Sequence, residues 1–451
     1  MHKHLISPLL LTLFLQGCGG GSSSSPEVPV DPVEYTFSLT AQLTNDCGVA
    51  SAFSDVELLL QDDTWQTLNT YKADDSGVIS FVTTSEFINY TLVAKDQQGS
   101  EAQGLNVVSF YQASSATPSH YQAQFDELVD NTSCECVTQN LELSHRPFVT
   151  QLEVTSSLPF DNWKEVDDST TLFEDVKVCR AVEGEWPLHS FSVKGTDANQ
   201  KAIAAADFSD DFTENVAGVW TLSAFQVADA VDLVMPHQDF NTNQLIEGTT
   251  HFPIAVTKDD DSVLVFSTHD HISKTFYQSQ ASVTFDESSS IFGSSVIKTH
   301  HQLISTIAKD SFLVNANEQK PPIDDRNFSE IKEDGSYDYS AVSGYPVAVI
   351  SFTFTTFDPT TKLLMPAKWT FYGPEQGMLA ISADLTGYTD IINIDTDKKS
   401  TDIHLMKSMM TNNYQDYIKY YQAGNTVENA LDASNDFVKN LNEVEINIKL
   451  K

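Results

Sequence analysis

From position 35 onward, hydrophobic and polar residues alternate in short runs closed by turn residues, which is the period-two signature of half-buried strands. Runs at 35–43, 56–60, 78–83 and 90–94 set the pattern, and Asp74, Asp75, Ser76 and Gly77 predict a hairpin turn between two of them. Such spacing predicts a β-sandwich. Farther on, 252–257, 263–268, 281–285 and the β-branched and aromatic run 347–357 predict long antiparallel hairpins. The turn Asp358, Pro359, Thr360, Thr361 sends the chain back through 363–371, where Pro366 marks an edge or a bulge. Residues 315–325, with Pro321 and Pro322, read as a loop. Helical periodicity arrives late. Asn425 and Glu428 have capping-box spacing ahead of Val427, Ala430, Leu431, Val438 and Leu441, which predicts a helix over 426–442. The alternating end, 445–450, predicts a closing strand added to the last sheet. The fold class expected is mainly β: tandem immunoglobulin-like β-sandwiches, then a larger antiparallel β-rich domain with a C-terminal helix and strand.

The chain also echoes itself. Phe53, Ser54, Asp55, Val56, Glu57, Leu58 returns as Phe173, Glu174, Asp175, Val176, Lys177, Val178, and Trp65 returns as Trp186. Tyr90, Thr91, Leu92, Val93, Ala94 is answered by Trp220, Thr221, Leu222, Ser223, Ala224. Three matches in one order predict two copies of a sandwich, at 35–135 and 136–239, ahead of a domain at 240–451. The turn at Asp75 to Gly77 then corresponds to Asp197, Ala198, Asn199 in the second copy. With its apolar strand, Asp/Gly turn and Tyr-Thr-Leu strand, the first copy resembles the transthyretin-like and collagen-binding B-type domains of secreted bacterial proteins. That resemblance implies an immunoglobulin-like spacer or binding module.

Residues 1–17 do not read as part of the fold. Lys3 between two histidines is a cationic start, 5–15 is apolar but too short to span a bilayer, and Leu15, Gln16, Gly17, Cys18 follow. This segment resembles the lipobox signal peptide of bacterial lipoproteins. The resemblance implies cleavage before Cys18 and a diacylglyceryl, N-acylated (palmitate-type) cysteine there, so that the lipid bilayer is the first partner. An ordinary secretory signal with a chance cysteine is the alternative. Residues 18–34 read as a tether, Gly/Ser-rich and then stiffened by Pro26, Pro29 and Pro32. Gly19 is not the aspartate that retains such lipoproteins at an inner membrane, so the resemblance points to the outer membrane, with the body surface-exposed or facing the periplasm.

Composition narrows the partners. Across 451 residues there are 63 acidic and 25 basic side chains, a formal net charge of −38. Such a surface repels nucleic acid and anionic head groups, so no nucleic-acid partner is expected; an envelope protein or polysaccharide is. After Cys18 there remain four cysteines, an even number, which in an exported chain predicts two disulfides. Cys134 and Cys136 are too close to bridge each other without strain, so Cys47 is expected to pair with one of them and Cys179 with the other.

Candidate chemistry is sparse. His269 and His271, two apart, could share an ion on one strand face, with His300 and His301 one hairpin away. Asp207, Asp210, Asp211 and Glu214 would share one face of a helix continuing from 202–206, where a calcium ion would relieve their repulsion. A solvated acidic face is the competing reading, as it is for Asp259 to Asp261 and for Asp395 and Asp397. Trp65, Trp163, Trp186, Trp220 and Trp369 could stack on sugars, although core packing accounts for at least three. No catalytic residue is assigned and no cofactor is required beyond optional calcium, since no nucleophile elbow, phosphate loop or dinucleotide fingerprint occurs in the chain. The function expected is a membrane-anchored surface lipoprotein with a non-enzymatic structural or recognition role in envelope, sheath or adhesion. A secreted hydrolase with its site in the C-terminal domain, or a calcium-dependent adhesin, is the alternative.

Overall fold

The computed structural model describes residues 32–45, 47, 49–97, 103–123, 133–224, 229–232, 239–246, 250–253, 262–266, 272–290, 293–305, 331, 334–342, 344–357, 364–380, 385, 398–408, 411–422 and 441–450. It is a mainly β protein built from sheets stacked face to face. The first eight strands are β1 (Tyr35–Thr44), β2 (Ala50–Ala52), β3 (Val56–Gln61), β4 (Thr67–Lys72), β5 (Val78–Thr83), β6 (Phe87–Gln97), β7 (Gln103–Ser114) and β8 (Ser119–Ala123). One layer centres on β1, with β5 and β2 along one edge and β8 parallel along the other. The opposing layer runs β4-β3-β6-β7. Alternation places Phe37, Leu39, Leu58, Phe81, Tyr90 and Leu92 between the two layers. The predicted hairpin turn stands: Asp74 Oδ1 accepts from the amides of Ser76 and Val78, each at 2.9 Å, and Gly77 has φ +75. A Cβ at Gly77 would strike the Ala41 carbonyl.

The second sandwich comprises β9 (Cys134–His145), β10 (Thr150–Ser156), β11 (Asn162–Asp167), β12 (Thr170–Ala181), β13 (His189–Thr196), β14 (Ala202–Ser209) and β15 (Val219–Ala224). Its sheets are β11-β12-β9-β15 and β10-β13-β14, closed over Leu141, Phe173, Phe191, Phe212 and Trp220. The two sandwiches share features of one strand plan. In each sandwich the first strand pairs in parallel with the last, β1 with β8 and β9 with β15. Each first strand also takes an antiparallel neighbour, β5 or β12, that follows an aspartate turn. The strand-by-strand matches read from sequence need correction. By position in the plan β3 corresponds to β10 and β6 to β13, whereas the sequence echoes joined β3 to β12 and β6 to β15. Likewise the counterpart of the Asp74 turn is Asp167, whose Oδ1 accepts from Ser169 N at 2.9 Å, and not Asp197, which caps the turn between β13 and β14. Short alternating strands resemble one another wherever they sit, so local identity does not fix their place in a sheet.

The remaining strands are β16 (Asp229–Asp232), β17 (Asp239–Ile246), β18 (Thr250–Pro253), β19 (Ser262–Val265), β20 (Ile272–Ser290), β21 (Gly293–Ser305), β22 (Ser336–Asp338), β23 (Val347–Phe357), β24 (Leu364–Pro374), β25 (Gln376–Met378), β26 (Lys398–Ser408) and β27 (Leu441–Leu450). The expected long hairpins are β20–β21 and β23–β24, both antiparallel. Pro366 faces Thr355 in β23, and the ladder to β7 begins one residue later at Ala367, so on the β7 side Pro366 sits where β24 is still an edge. The closing strand is present as β27, but it inserts between β21 and β26 rather than extending an edge.

The expected division at 135 and 240 is corrected. β7 pairs in parallel with β24, Leu105 to Phe110 against Ala367 to Tyr372, joining the first sandwich and the C-terminal strands in one twelve-stranded sheet ordered β18-β17-β20-β21-β27-β26-β23-β24-β7-β6-β3-β4. The reason lies in β7 itself, which is buried on both faces: Leu105 and Val107 on one, Phe110 and Ala113 on the other. A strand buried twice belongs inside a sheet. The second sandwich is therefore inserted into a body made by both ends of the chain.

Helix α1 (Tyr414–Gln422) lies on the face shared with β1 and β8, burying Tyr414, Tyr417 and Ile418. Asn413 caps it, its Oδ1 accepting from Asp416 N at 2.8 Å while its Nδ2 donates to Asp416 Oδ2 at 3.0 Å. The helix expected over 426–442 lies outside the described residues up to 440, and Leu441 and Asn442 begin β27. The loop at 315–325 and the turn at 358–361 also lie outside them.

Candidate functional site

Cys18, His269, His271, Asp259 to Asp261, Asp395 and Asp397 lie outside the described residues. His300 and His301 fall on β21, at the register positions of Glu443 and Asn442 in β27. The acidic set is corrected: residues 202–209 form strand β14, not the start of a helix, so Asp207 and its companions share no helical face. β14 pairs along its whole length with β13, and its alanines alternate between two cores, Ala205 in one and Ala204 and Ala206 in another. Double-sided burial of small residues selects the strand over the helical propensity of alanine. Asp207 accepts from the amides of Phe208 at 2.9 Å and Ser223 at 3.0 Å, which ties β14 to β15. Asp211, held below the usual carboxylate range by the Thr213 hydroxyl and amide, caps the next turn. Asp210 and Glu214 are exposed beside it. Among the described residues no three His, Cys, Asp or Glu side chains converge as a metal site would require.

Three tryptophans are core residues with satisfied indoles. Trp65 donates to Met378 O at 3.1 Å, Trp220 to Thr213 O at 3.0 Å and Trp369 to Ser109 Oγ at 2.9 Å. Trp369 ends a buried relay in which Ser109 Oγ meets Thr91 Oγ1 at 2.8 Å and Thr91 donates to Gln61 Oε1 at 2.6 Å. Trp186 is half-buried beneath the Arg180 guanidinium, whose centre stands 4.3 Å from the ring.

The most densely constructed place outside the cores is the junction of the two sandwiches. Cys47, between β1 and β2, is bonded to Cys134 at the first residue of β9, and Cys136 to Cys179 in β12. Cys47 and Cys179 thus each take one member of the close pair. Asn45 organises the joint. Its Oδ1 accepts from Cys47 N at 3.1 Å and Val49 N at 2.9 Å, and its Nδ2 donates to Ser133 Oγ at 3.1 Å. Beyond the second bridge, Glu135 and Arg180, register partners in β9 and β12, form an ion pair, and Arg180 Nη1 donates to Gly184 O at 2.9 Å. Disulfide, ion pair and cation–π contact therefore hold one short stretch of ladder from both faces of the sheet.

Two histidines carry perturbed acid–base chemistry. His189, in β13, is pushed down to about 4 by burial, and Ser157 Oγ, which accepts from Ser190 N at 3.0 Å, lies in hydrogen-bond contact with its Nδ1 at 3.1 Å. That imidazole is neutral at pH 7. His404, in β26, pairs with Glu443 of β27, beside Glu445, Asp402 and Lys298, with Lys298 Nζ 3.6 Å from Glu445. Burial by itself would lower His404, but the Glu443 hydrogen bond and charge, with Glu445 and Asp402, raise it above its ordinary value. Neither pair was legible in sequence. His404 and Glu443 are 39 positions apart, and only the register of β26 with β27 brings them together.

No protein-family model matches the chain, and no curated protein or solved structure is detectably similar to it.

Proposed function

We infer that the chain is a bacterial lipoprotein anchored in the outer membrane through acylated Cys18, with a non-enzymatic structural or recognition role in the envelope, a sheath or an adhesion layer. The observation that carries this reading is the pair of disulfides at the sandwich junction. Such bridges form and persist in oxidising, exported compartments, where a lipoprotein signal would deliver the chain. The ordered body supports the same reading, because β1 begins at Tyr35, directly after the Gly/Ser/Pro stretch that would hold it off a bilayer. Two filled sandwiches act as immunoglobulin-like spacers or binding modules, and the excess of acidic side chains favours a neutral polysaccharide or a basic envelope protein as partner.

The test begins with metabolic labelling by a palmitate analogue. Label should enter the natural chain and be lost in Cys18→Ser; label retained in that variant overturns the anchor. Protease added to intact cells then places the body. Digestion leaves adhesion, sheath or surface-layer roles, and protection until lysis assigns an envelope role inside the outer membrane.

A further inference from the structure

Helix α1 brings its tyrosines against those of β24. Tyr414 donates to Tyr372 O at 2.9 Å and Gln422 accepts from Ser114 N at 3.1 Å, so the helix is held at both ends. Between these ends, Tyr372 of β24 and Tyr421 of α1 stand ring to ring. Their centroids are 4.8 Å apart, their planes meet at 37°, and the Tyr372 hydroxyl donates to the Tyr421 hydroxyl at 3.0 Å. Phe110 of β7 supports both, stacked on Tyr372 at 5.1 Å and tilted to Tyr421 at 6.1 Å. Both tyrosines are half-buried on the rim of the first sandwich's core, where a small molecule can reach them.

We propose that Tyr372 and Tyr421 form a dityrosine site: a diffusible one-electron oxidant joins their rings at carbons next to the hydroxyls and fastens α1 to β24 covalently. This reading is independent of the lipid anchor. The oxidant first takes an electron from Tyr421, whose phenolic proton goes to water. The Tyr372 hydroxyl then passes its hydrogen atom along the hydrogen bond to the Tyr421 oxygen, which moves the radical inward and restores Tyr421 for a second oxidation. Burial and the neighbouring phenols hold Tyr372 well above the ordinary phenol range, so it keeps a hydrogen to pass. Two phenoxyl radicals now lie side by side. Coupling forms one C–C bond, and the hydrogens on the two joined carbons move to the oxygens as both rings regain aromaticity. Two equivalents of oxidant are reduced, two protons are released, and the chain is lighter by two hydrogens. In the product the hydroxyls flank the new bond, close to where the 3.0 Å contact already holds them.

Selectivity follows from distance and access. Among the described residues, the other tyrosine pairs in ring contact are wider, Tyr337 with Tyr339 at 5.7 Å and Tyr111 with Tyr414 at 6.4 Å. Tyr337, Tyr339 and Tyr414 are also buried, and the hydroxyls of Tyr337 and Tyr414 donate to backbone carbonyls rather than to another phenol. Tyr372 and Tyr421 combine a short separation, a direct hydroxyl contact and exposure. Their bond would close a loop across 49 positions and, as a disulfide does, restrict the unfolded chain.

The experiment illuminates the dilute, folded full chain briefly with a ruthenium tris-bipyridine complex and persulfate, then maps cross-links by digestion and mass spectrometry. The expected result is an intramolecular peptide pair joining Tyr372 to Tyr421, lighter by two hydrogens, as the main cross-link. Dityrosine fluorescence should rise with it, and the cross-linked chain should melt at a higher temperature with an unchanged β-sheet circular dichroism signal. Tyr372→Phe and Tyr421→Phe, which each remove one hydroxyl, should each abolish that pair. Cross-links that map chiefly to other tyrosines or between copies through exposed Tyr420, oxidation of Tyr421 without coupling, or a yield unchanged in either variant overturns the site. Should a variant fail to fold, the map obtained on the natural chain decides between these outcomes.

Discussion

At the scale of single residues, burial sets which groups are sensitive and to what. Trp65 adopts φ +64, a region costly for a bulky side chain, yet its indole is 1% exposed, edge-on to Phe371 and bonded to Met378 O. Packing there outweighs backbone cost, so Trp65→Ala should destabilise the body by about 3–5 kcal/mol in urea unfolding. The histidines give opposite pH signatures. The neutral folded form of His189 binds a proton only near pH 4 while an unfolded chain binds it near 6.5, so stability falls as pH drops through that window. His189→Phe should remove that component from a pH series of melting temperatures. His404 is raised, so its contribution is complete below its unfolded pKa and is lost as pH rises through the folded value, and His404→Gln should flatten that alkaline-side decline. An unchanged slope in either variant would refute the corresponding assignment. No reading of the sequence could assign these roles, because composition names a histidine without saying what register will place beside it.

Among the secondary-structure elements, strands were the most legible part. The limits expected at 78–83 and 347–357 are those of β5 and β23, because turn residues punctuate both ends of each run. The helix was not. α1 carries the same kind of signature that drew attention to Asn425, here Asn413 with Asp416, followed by Tyr414, Tyr417, Ile418 and Tyr421 at helical spacing. Four tyrosines in nine residues look like strand, and only the cap separates the two readings. Removing that cap with Asn413→Ala should cost about 1 kcal/mol by chemical denaturation. The loss should appear in the same transition as the first sandwich, since Gln422 at the other end of the helix accepts from Ser114 N and donates to Ser119 Oγ. The acidic run at 207–214 failed for the complementary reason: a spacing that suits a helix also occurs on a strand that runs into a loop, and burial of the neighbouring alanines on both faces decided it.

The whole molecule depends on which surfaces can be buried locally. The first sandwich cannot bury all of its own. Leu59, Val93, Leu105 and Val107 face away from β1, into a cluster completed by Trp369, Phe371, Ile350 and Leu405 from the far end of the chain. Their polar neighbours Thr91 and Ser109 are satisfied only by a relay that ends on Trp369. Cut out as 35–123, this segment would expose that face and leave β7 without β24, an open edge flanked by apolar side chains. The second sandwich contrasts with it. Residues 133–224 contain every member of their central core, and both cysteines of one bridge. What excision uncovers is small: Ala204, Ala206 and Phe208 on β14, and a free Cys134. Expressed separately with oxidation, 133–224 carrying Cys134→Ser should therefore be soluble and monomeric and unfold cooperatively, whereas 35–123 should aggregate. Size-exclusion chromatography with thermal circular dichroism separates the outcomes. A folded, monomeric 35–123 would show that the parallel β7–β24 junction is an accessory contact, and would restore the boundary at 135 that the sequence suggested.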